Sequence, residues 1–356
     1  MEWNLKTFGG VFYEEHLWFS NNTFNGLFRM NLDSGNIELM DFFPNEKRDL
    51  VAAHKKCICY NGKLFFFPAN ANNIHIYDIS KQKFTVIPID RDSWEYCGDA
   101  ILVGEKIYIF MLYTNQDVLV LNTQDLSLHK IPSFRTAYRQ ITKNDKIKLF
   151  LCRCSEYNGK IYTAFHGTDV VVSFDVKTEE LIFFHTGIED IFFCYVYDGK
   201  CWIITWHTGD VYQYDFRGEP VLMHSGGNKK DIHKFNQIIS YADRIWAIPA
   251  YPGSMICFDH LGNKKIYDDF AGENPEYILF FGTVLVKDEM WLLPHRLDYI
   301  YALNRNGELK KKDSFIFQDE KRKGEILAGL LEERNILCEH ENLDLHDFLK
   351  AVNYTK

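Results

Sequence analysis

Short apolar runs separated by polar turns recur along this chain about every 45 residues. One unit shows the pattern. Residues 149–155 are apolar-rich, Tyr157-Asn158-Gly159-Lys160 reads as a turn, and Ile161 to Phe165 is apolar. Next come a polar stretch from His166 to Asp169, an apolar run from Val170 to Phe174, a turn from Asp175 to Glu179 and a last run from Glu180 to His185. Runs this short, bounded by Asn-Gly or Asp-Gly pairs that favour two-residue hairpin turns, predict antiparallel strands, four to a unit. Equivalent turns stand at Asn61-Gly62 and Asp198-Gly199.

Two anchors repeat in register. An aromatic residue follows the first turn of each unit at Trp18, Phe65, Tyr108, Tyr162, Trp202, Trp246 and Trp291, at intervals of 47, 43, 54, 40, 44 and 45. Thirteen residues later, or fourteen in the third unit, comes Asn31, Asp78, Asn122, Asp175, Asp215, Asp259 or Asn304. A large ring on the second strand suits packing between neighbouring sheets. An Asn or Asp at the end of the third strand accepts a hydrogen bond from the backbone two residues on, which opens the last hairpin. Both sets are therefore structural.

A four-stranded unit of this length cannot bury both faces alone, so the repeats must stack, and seven of them close into a ring. The expected fold is all-β: a seven-bladed β-propeller of four-stranded antiparallel blades over residues 1–317, with a short α-helical extension at 318–356. The chain resembles the seven-bladed propeller superfamily, through segments such as Leu64-Phe65-Phe66-Phe67 and Asn73-Ile74-His75-Ile76-Tyr77-Asp78, which look like virginiamycin B lyase-like repeats. The likeness to kelch repeats is distant, since no Gly-Gly doublet precedes the second strands, and the Gly-His and Trp-Asp marks of WD40 repeats are missing. The resemblance implies a fold and no active site.

Two departures from the repeat stand out. The long third interval places about ten extra residues within 135–148, among them Arg135, Arg139, Lys143, Lys146 and Lys148, as a rim loop for binding or simply a solvated basic loop. After Phe317, Ile326, Leu327, Leu330 and Leu331, then Leu345, Phe348, Leu349 and Val352, fall at helical spacing and predict two amphipathic helices.

Composition narrows the function. The 40 basic and 49 acidic residues leave a formal charge of −9, which argues against nucleic acid as a partner. The start lacks the basic and apolar regions of a secretory signal, and no run of 18 apolar residues exists to span a membrane, so a cytoplasmic location is expected. Nine cysteines, several inside apolar runs, read as reduced, buried thiols. No Walker, Gly-x-Gly-x-x-Gly, His-Glu-x-x-His or Gly-x-Ser-x-Gly motif is present, and no organic cofactor is expected.

The loops between second and third strands gather on one face and are rich in amides, rings and imidazoles. His166, His207 and His295 lie four or five residues after their anchors, positions that converge on the channel mouth, where they would act as bases or hold a divalent metal. Arg296 would fork onto an anion or pair with Asp298. Tyr113, Trp206, Tyr251, Phe24 and Asn70 would form a surface for a peptide or glycan, although rings at such positions equally serve inter-blade packing. Asn236, Glu276 and Arg153 are candidates to line the channel. Two functions are consistent with this: a propeller that holds a peptide, glycan or protein on its loop face, or a lyase, isomerase or hydrolase built on the loop histidines.

Overall fold

A computed structural model describes residues 6–90, 97–112, 117–132, 134, 136–137, 153–227, 234–268, 270, 279–294, 299–313, 316–317 and 319–333. Seven antiparallel sheets, each continuous in sequence, start at Gly10, His54, Cys97, Ser155, Ile191, Phe235 and Phe280. Their first strands line the centre and touch in order, and that of blade 7 meets that of blade 1, which closes the ring. The protein is a seven-bladed β-propeller.

Both anchors behave as their chemistry dictates. All seven second-strand aromatics are at most 9% exposed, and each belongs to an apolar cluster shared with the following blade. Trp18 packs with Leu64, Phe66 and Tyr77 of blade 2, Trp246 with Met290 and Leu292 of blade 7, and Trp291 with Leu17 and Phe19 of blade 1. The core is thus seven inter-blade seams rather than one centre. The Trp18 and Trp246 indoles donate to the Tyr13 and Tyr241 carbonyls across their own hairpins, so neither ring is buried with an unmet N–H. Each anchor carboxylate or amide accepts backbone N–H bonds from the following turn, as Asn31 does from Asp33 and Ser34 and Asp215 from Arg217 and Gly218. The hairpins Asn61-Gly62, Asn158-Gly159 and Asp198-Gly199 have positive φ at both residues, the type I′ geometry that fits strand twist.

The chain adds one further element to the ring. After blade 7, Ile316–Phe317 pairs in parallel with Asn36 and Ile37 on the outer strand of blade 1. The helix Glu320–Glu333 follows, and its Ile326 and Leu330 enter the seam between blades 7 and 1. The first expected helix therefore covers the ring's outer edge. The second, and most of the inserted basic loop, lie outside the described residues. Seven described cysteines are free. Among the described residues no helix is long and apolar enough to cross a membrane.

Candidate functional site

Hydrogen bonds place the second-to-third-strand loops and the links between blades on one face. Gly167 N–H donates to Ile191 O at 2.9 Å, Trp206 N–H to Asp190 O at 2.9 Å and Ala250 N–H to Lys234 O at 2.8 Å. The last two tie a loop to the entry of its own blade, whereas the Gly167 bond, and that of Leu279 N–H to Ala250 O at 2.7 Å, reach from a loop to the entry of the next blade, so loops of adjacent blades are held side by side.

At the junction of blades 4 and 5 this arrangement brings His166 and His207 together. The His166 ring lies 4.7 Å from Trp206 and 5.5 Å from Phe192, and Trp206 meets Phe192 edge-on at 4.4 Å. Asp190 completes the group. This link residue has φ of 64°, which turns the chain into the first strand of blade 5. Its carboxylate accepts the His207 backbone N–H at 3.0 Å and also the His207 ring N–H at Nδ1. A carboxylate only accepts, so this contact places a proton on Nδ1, and in the neutral ring Nε2 is the lone pair. The His207 ring is 43% exposed, so Nε2 is within reach of a ligand. His166 has its pKa lowered by burial and by the neighbouring His207, against an upward pull from Asp190. The group is therefore an aromatic wall beside a carboxylate-backed imidazole.

Two clefts flank blade 5 on this face. One of about 350 Å³ borders Asp190 and is lined by Glu189, Thr205, Asp210, Tyr212 and Glu219. The other, of about 220 Å³, is lined by Tyr251, His224, Lys234, Phe235 and Ser254.

The remaining sequence candidates separate. Tyr251 belongs to the blade 5–6 cleft and does not join the histidines. Asn70 is exposed on blade 2 and its amide donates to Val51 O at 2.9 Å, which ties its own loop to a link. Phe24, read either as a stacking surface or as inter-blade packing, takes the second role: it is 5% exposed and packs edge-on against Phe28 at 5.8 Å in the blade 7–1 seam. His295, Arg296, Tyr113 and Glu276 lie outside the described residues. Among those described, no group of three or more His, Cys, Asp or Glu side chains could hold a metal ion.

Sequence reasoning missed Asp190 and Phe192. The signal was an acidic residue immediately before the apolar run Ile191 to Tyr197, on a link known to share the loop face.

No family model matches the sequence, and no curated protein matches it. Solved structures do match in shape. A streptogramin B lyase aligns with a TM-score of 0.61 at 15% identity, covering 87% of this chain and 94% of that one. The catalytically inactive histidine-to-alanine virginiamycin B lyase of Staphylococcus aureus, solved with quinupristin, aligns at 0.57 and 13% identity, covering 87% and 97%. PorZ of Porphyromonas gingivalis, a surface component of the type-IX secretion system, aligns at 0.61 and 9% identity, and the match covers 88% of this chain but 39% of that one. At such identities the likeness establishes the propeller fold alone.

Proposed function

We propose that this propeller is a binding module that holds a peptide, glycan or protein loop on its second-to-third-strand loop face at blades 4 and 5. The observation that carries the reading is the convergence of His166, Trp206, Phe192, Asp190 and His207 from two blades beside an open cleft. A flat indole stacks on a sugar or side-chain face, and a carboxylate-backed imidazole fixes one polar group of the ligand. Neighbouring structures include both a secretion-system surface component and lyases, which fits a scaffold used for binding as well as catalysis. The seven free cysteines support the reducing, cytoplasmic location expected from the sequence.

The test is a screen of peptide and glycan arrays, followed by titration of each hit into wild type, Trp206→Ala and His207→Gln. Affinity should fall about tenfold or more in both variants at unchanged melting temperature. Undiminished affinity, or hydrogen-exchange protection confined to another face, overturns the reading.

One observation favours a second reading. With its Nδ1 proton held by Asp190, His207 Nε2 is arranged as a general base, the requirement for a lyase or hydrolase. Turnover of a bound ligand by wild type, seen by mass spectrometry and absent in His207→Gln, would select this reading over simple binding.

A further inference from the structure

Each blade ends on an outer strand whose free edge invites pairing unless something blocks it. Five of the seven edges are protected. Ile316–Phe317 covers that of blade 1. Lysines stand on those of blade 2 (Lys83), blade 3 (Lys130), blade 6 (Lys264 and Lys265) and blade 7 (Lys310, Lys311 and Lys312). The outer strands of blades 4 and 5, Leu181–His185 and Val221–His224, hold no Lys, Arg, Asp or Glu. That of blade 5 follows Pro220 and pairs across a bulge at Val211 and Tyr212, devices that also discourage pairing. That of blade 4 has neither, and its five residues pair with Val170–Phe174 in unbroken register.

The hydrogen-bond pattern shows which groups face out. Thr186 N–H donates to Asp169 O at 2.9 Å and Asp175 N–H to Glu180 O at 3.0 Å, so both are hydrogen-bonded pairs. Such pairs alternate along an antiparallel ladder, which makes Ile182 with Ser173 and Phe184 with Val171 hydrogen-bonded pairs too. Leu181, Phe183 and His185 therefore aim their N–H and C=O groups away from the blade, and among the described residues no strand pairs with them. Side chains alternate as well. Leu181 and Phe183 pack into the seam between blades 3 and 4, while Ile182 and Phe184 lie on the face toward blade 5. Phe184 packs on Phe216 at 4.8 Å, whereas Ile182 is 45% exposed.

We infer that the outer edge of blade 4 is an interface with a second copy of this chain, in which the two Leu181–His185 strands pair antiparallel about a two-fold axis at Phe183. The strand is complementary to itself, the condition for a two-fold contact. In this register Phe183 meets its own copy and Leu181 meets His185 of the copy, so every outward N–H and C=O finds a partner, about six hydrogen bonds in all. Ile182 then falls opposite Phe184 of the copy, at a non-hydrogen-bonded position where side chains approach most closely, and a β-branched residue beside an aromatic is a favourable cross-strand pair. Charge selects the same arrangement. Glu179 and Glu180 precede the strand and His185, with its side chain 68% exposed, ends it. Antiparallel pairing sets the acidic end of one strand against the histidine end of the other, whereas parallel pairing would set Glu against Glu. The interface lies on the outer rim and does not depend on the role of the loop face.

The test is sedimentation velocity of the full chain over a concentration series. A reversible monomer–dimer equilibrium is expected, monomeric when dilute and shifting toward dimer by about 200 μM, as suits a small interface. Ile182→Lys sets a charge against Phe184 of the copy and should weaken the dimer about tenfold or more. Because Ile182 is exposed, the melting temperature of this variant when dilute should match wild type. Val221→Lys, at a similarly exposed position on blade 5, should dimerise like wild type. Hydrogen exchange gives a second reading that needs no variant. As concentration rises, the amides of Leu181, Phe183 and His185 should gain protection, while those of Ile182 and Phe184, already bonded within the blade, should not change. A chain that stays monomeric at about 200 μM overturns the interface. So does a dimer that Ile182→Lys keeps in full, one that Val221→Lys weakens equally, or protection confined to a surface other than blade 4.

Discussion

His54 Nε2 lies 2.9 Å from His75 Nδ1, inside the seam between blades 1 and 2. The pair is part of a longer line, since Ser20 Oγ is 2.9 Å from His54 Nδ1 and His75 Nε2 is 2.9 Å from Pro44 O. A carbonyl only accepts, so His75 carries its proton on Nε2 and accepts at Nδ1. His54 must then donate from Nε2 and accept from Ser20, which gives the neutral line a single direction. The remaining surroundings are the Phe43, Phe66 and Phe84 rings, with the Glu46 carboxylate 4.0 Å from His75 Nε2.

This line makes the fold sensitive to acid. Burial lowers the His75 pKa to about 4, and it lowers His54 well below the usual histidine range, with His75 adding to the effect. An unfolded chain takes up these protons near pH 6.5, before the folded one does, so stability falls as pH drops below about 6.5; the His75 share of the loss is complete near pH 4. His75 alone accounts for about 3 kcal/mol over that window, at 1.36 kcal/mol per pH unit. Urea melts from pH 7.5 to 4 should show the loss. A His75→Gln variant, although less stable at pH 7, should show a shallower slope, and an equal slope in the two proteins would count against this origin.

The seams and the loop face should respond differently to mutation. Trp246 is fully buried between blades 6 and 7, and its replacement by Ala should cost about 3–5 kcal/mol in denaturant melts. His207 is 43% exposed with one charged partner, so His207→Ala should cost about 1 kcal/mol or less. A larger loss at His207 than at Trp246 would show that the Asp190 contact holds the loop, not a ligand.

Much of the ring could be read from sequence because each repeat needs the same two devices at the same places. An aromatic must fill every seam, and an Asn or Asp must start every last hairpin, so both recur at fixed spacing. The contacts that make sites carry no such repetition. Asp190 meets His207 across 17 residues, and His54 meets both Ser20 and His75 across 34 and 21. Ser20 meets His54 across a seam between blades, and the other two contacts cross a single blade at positions the remaining blades do not share, so neither kind leaves a repeated mark. Matched loop positions pointed to His166 and His207, and the His166 ring packs on Trp206, the residue before His207. They did not separate Phe24, which turns into a seam, from Trp206, which borders the histidine cluster.

Asp175 offers a clean measure of the hairpin device. Its carboxylate accepts the Lys177 N–H at 2.9 Å and the Thr178 N–H at 3.3 Å, and these bonds lower its pKa. Asp175→Ala leaves both donors to water and should lower the urea midpoint, whereas Asp175→Asn keeps an acceptor and should lower it by less than half as much. Equal losses in the two variants would mean that charge, rather than the accepted hydrogen bonds, matters at this turn.

The C-terminal element should act as a clamp on the ring's closing seam. Phe317 is 1% exposed and packs edge-on against Phe28 at 5.7 Å, and Ile326 is fully buried in the same cluster as Trp291 and Leu17. The strand Ile316–Phe317 also covers the outer edge of blade 1, an edge otherwise open to unwanted pairing. Ile326→Ala should therefore cost about 2–4 kcal/mol, and its effect on hydrogen exchange should be local. The strands Leu27–Asn31 and Asn36–Asp41 of blade 1 should exchange faster, while those of blade 4, on the far side of the ring, keep their protection. Truncation after Asp313 should produce the same pattern more strongly and add concentration-dependent association through the bared edge. Uniform loss of protection around all seven blades would instead mean that the ring opens as one unit, with the helix holding no particular seam.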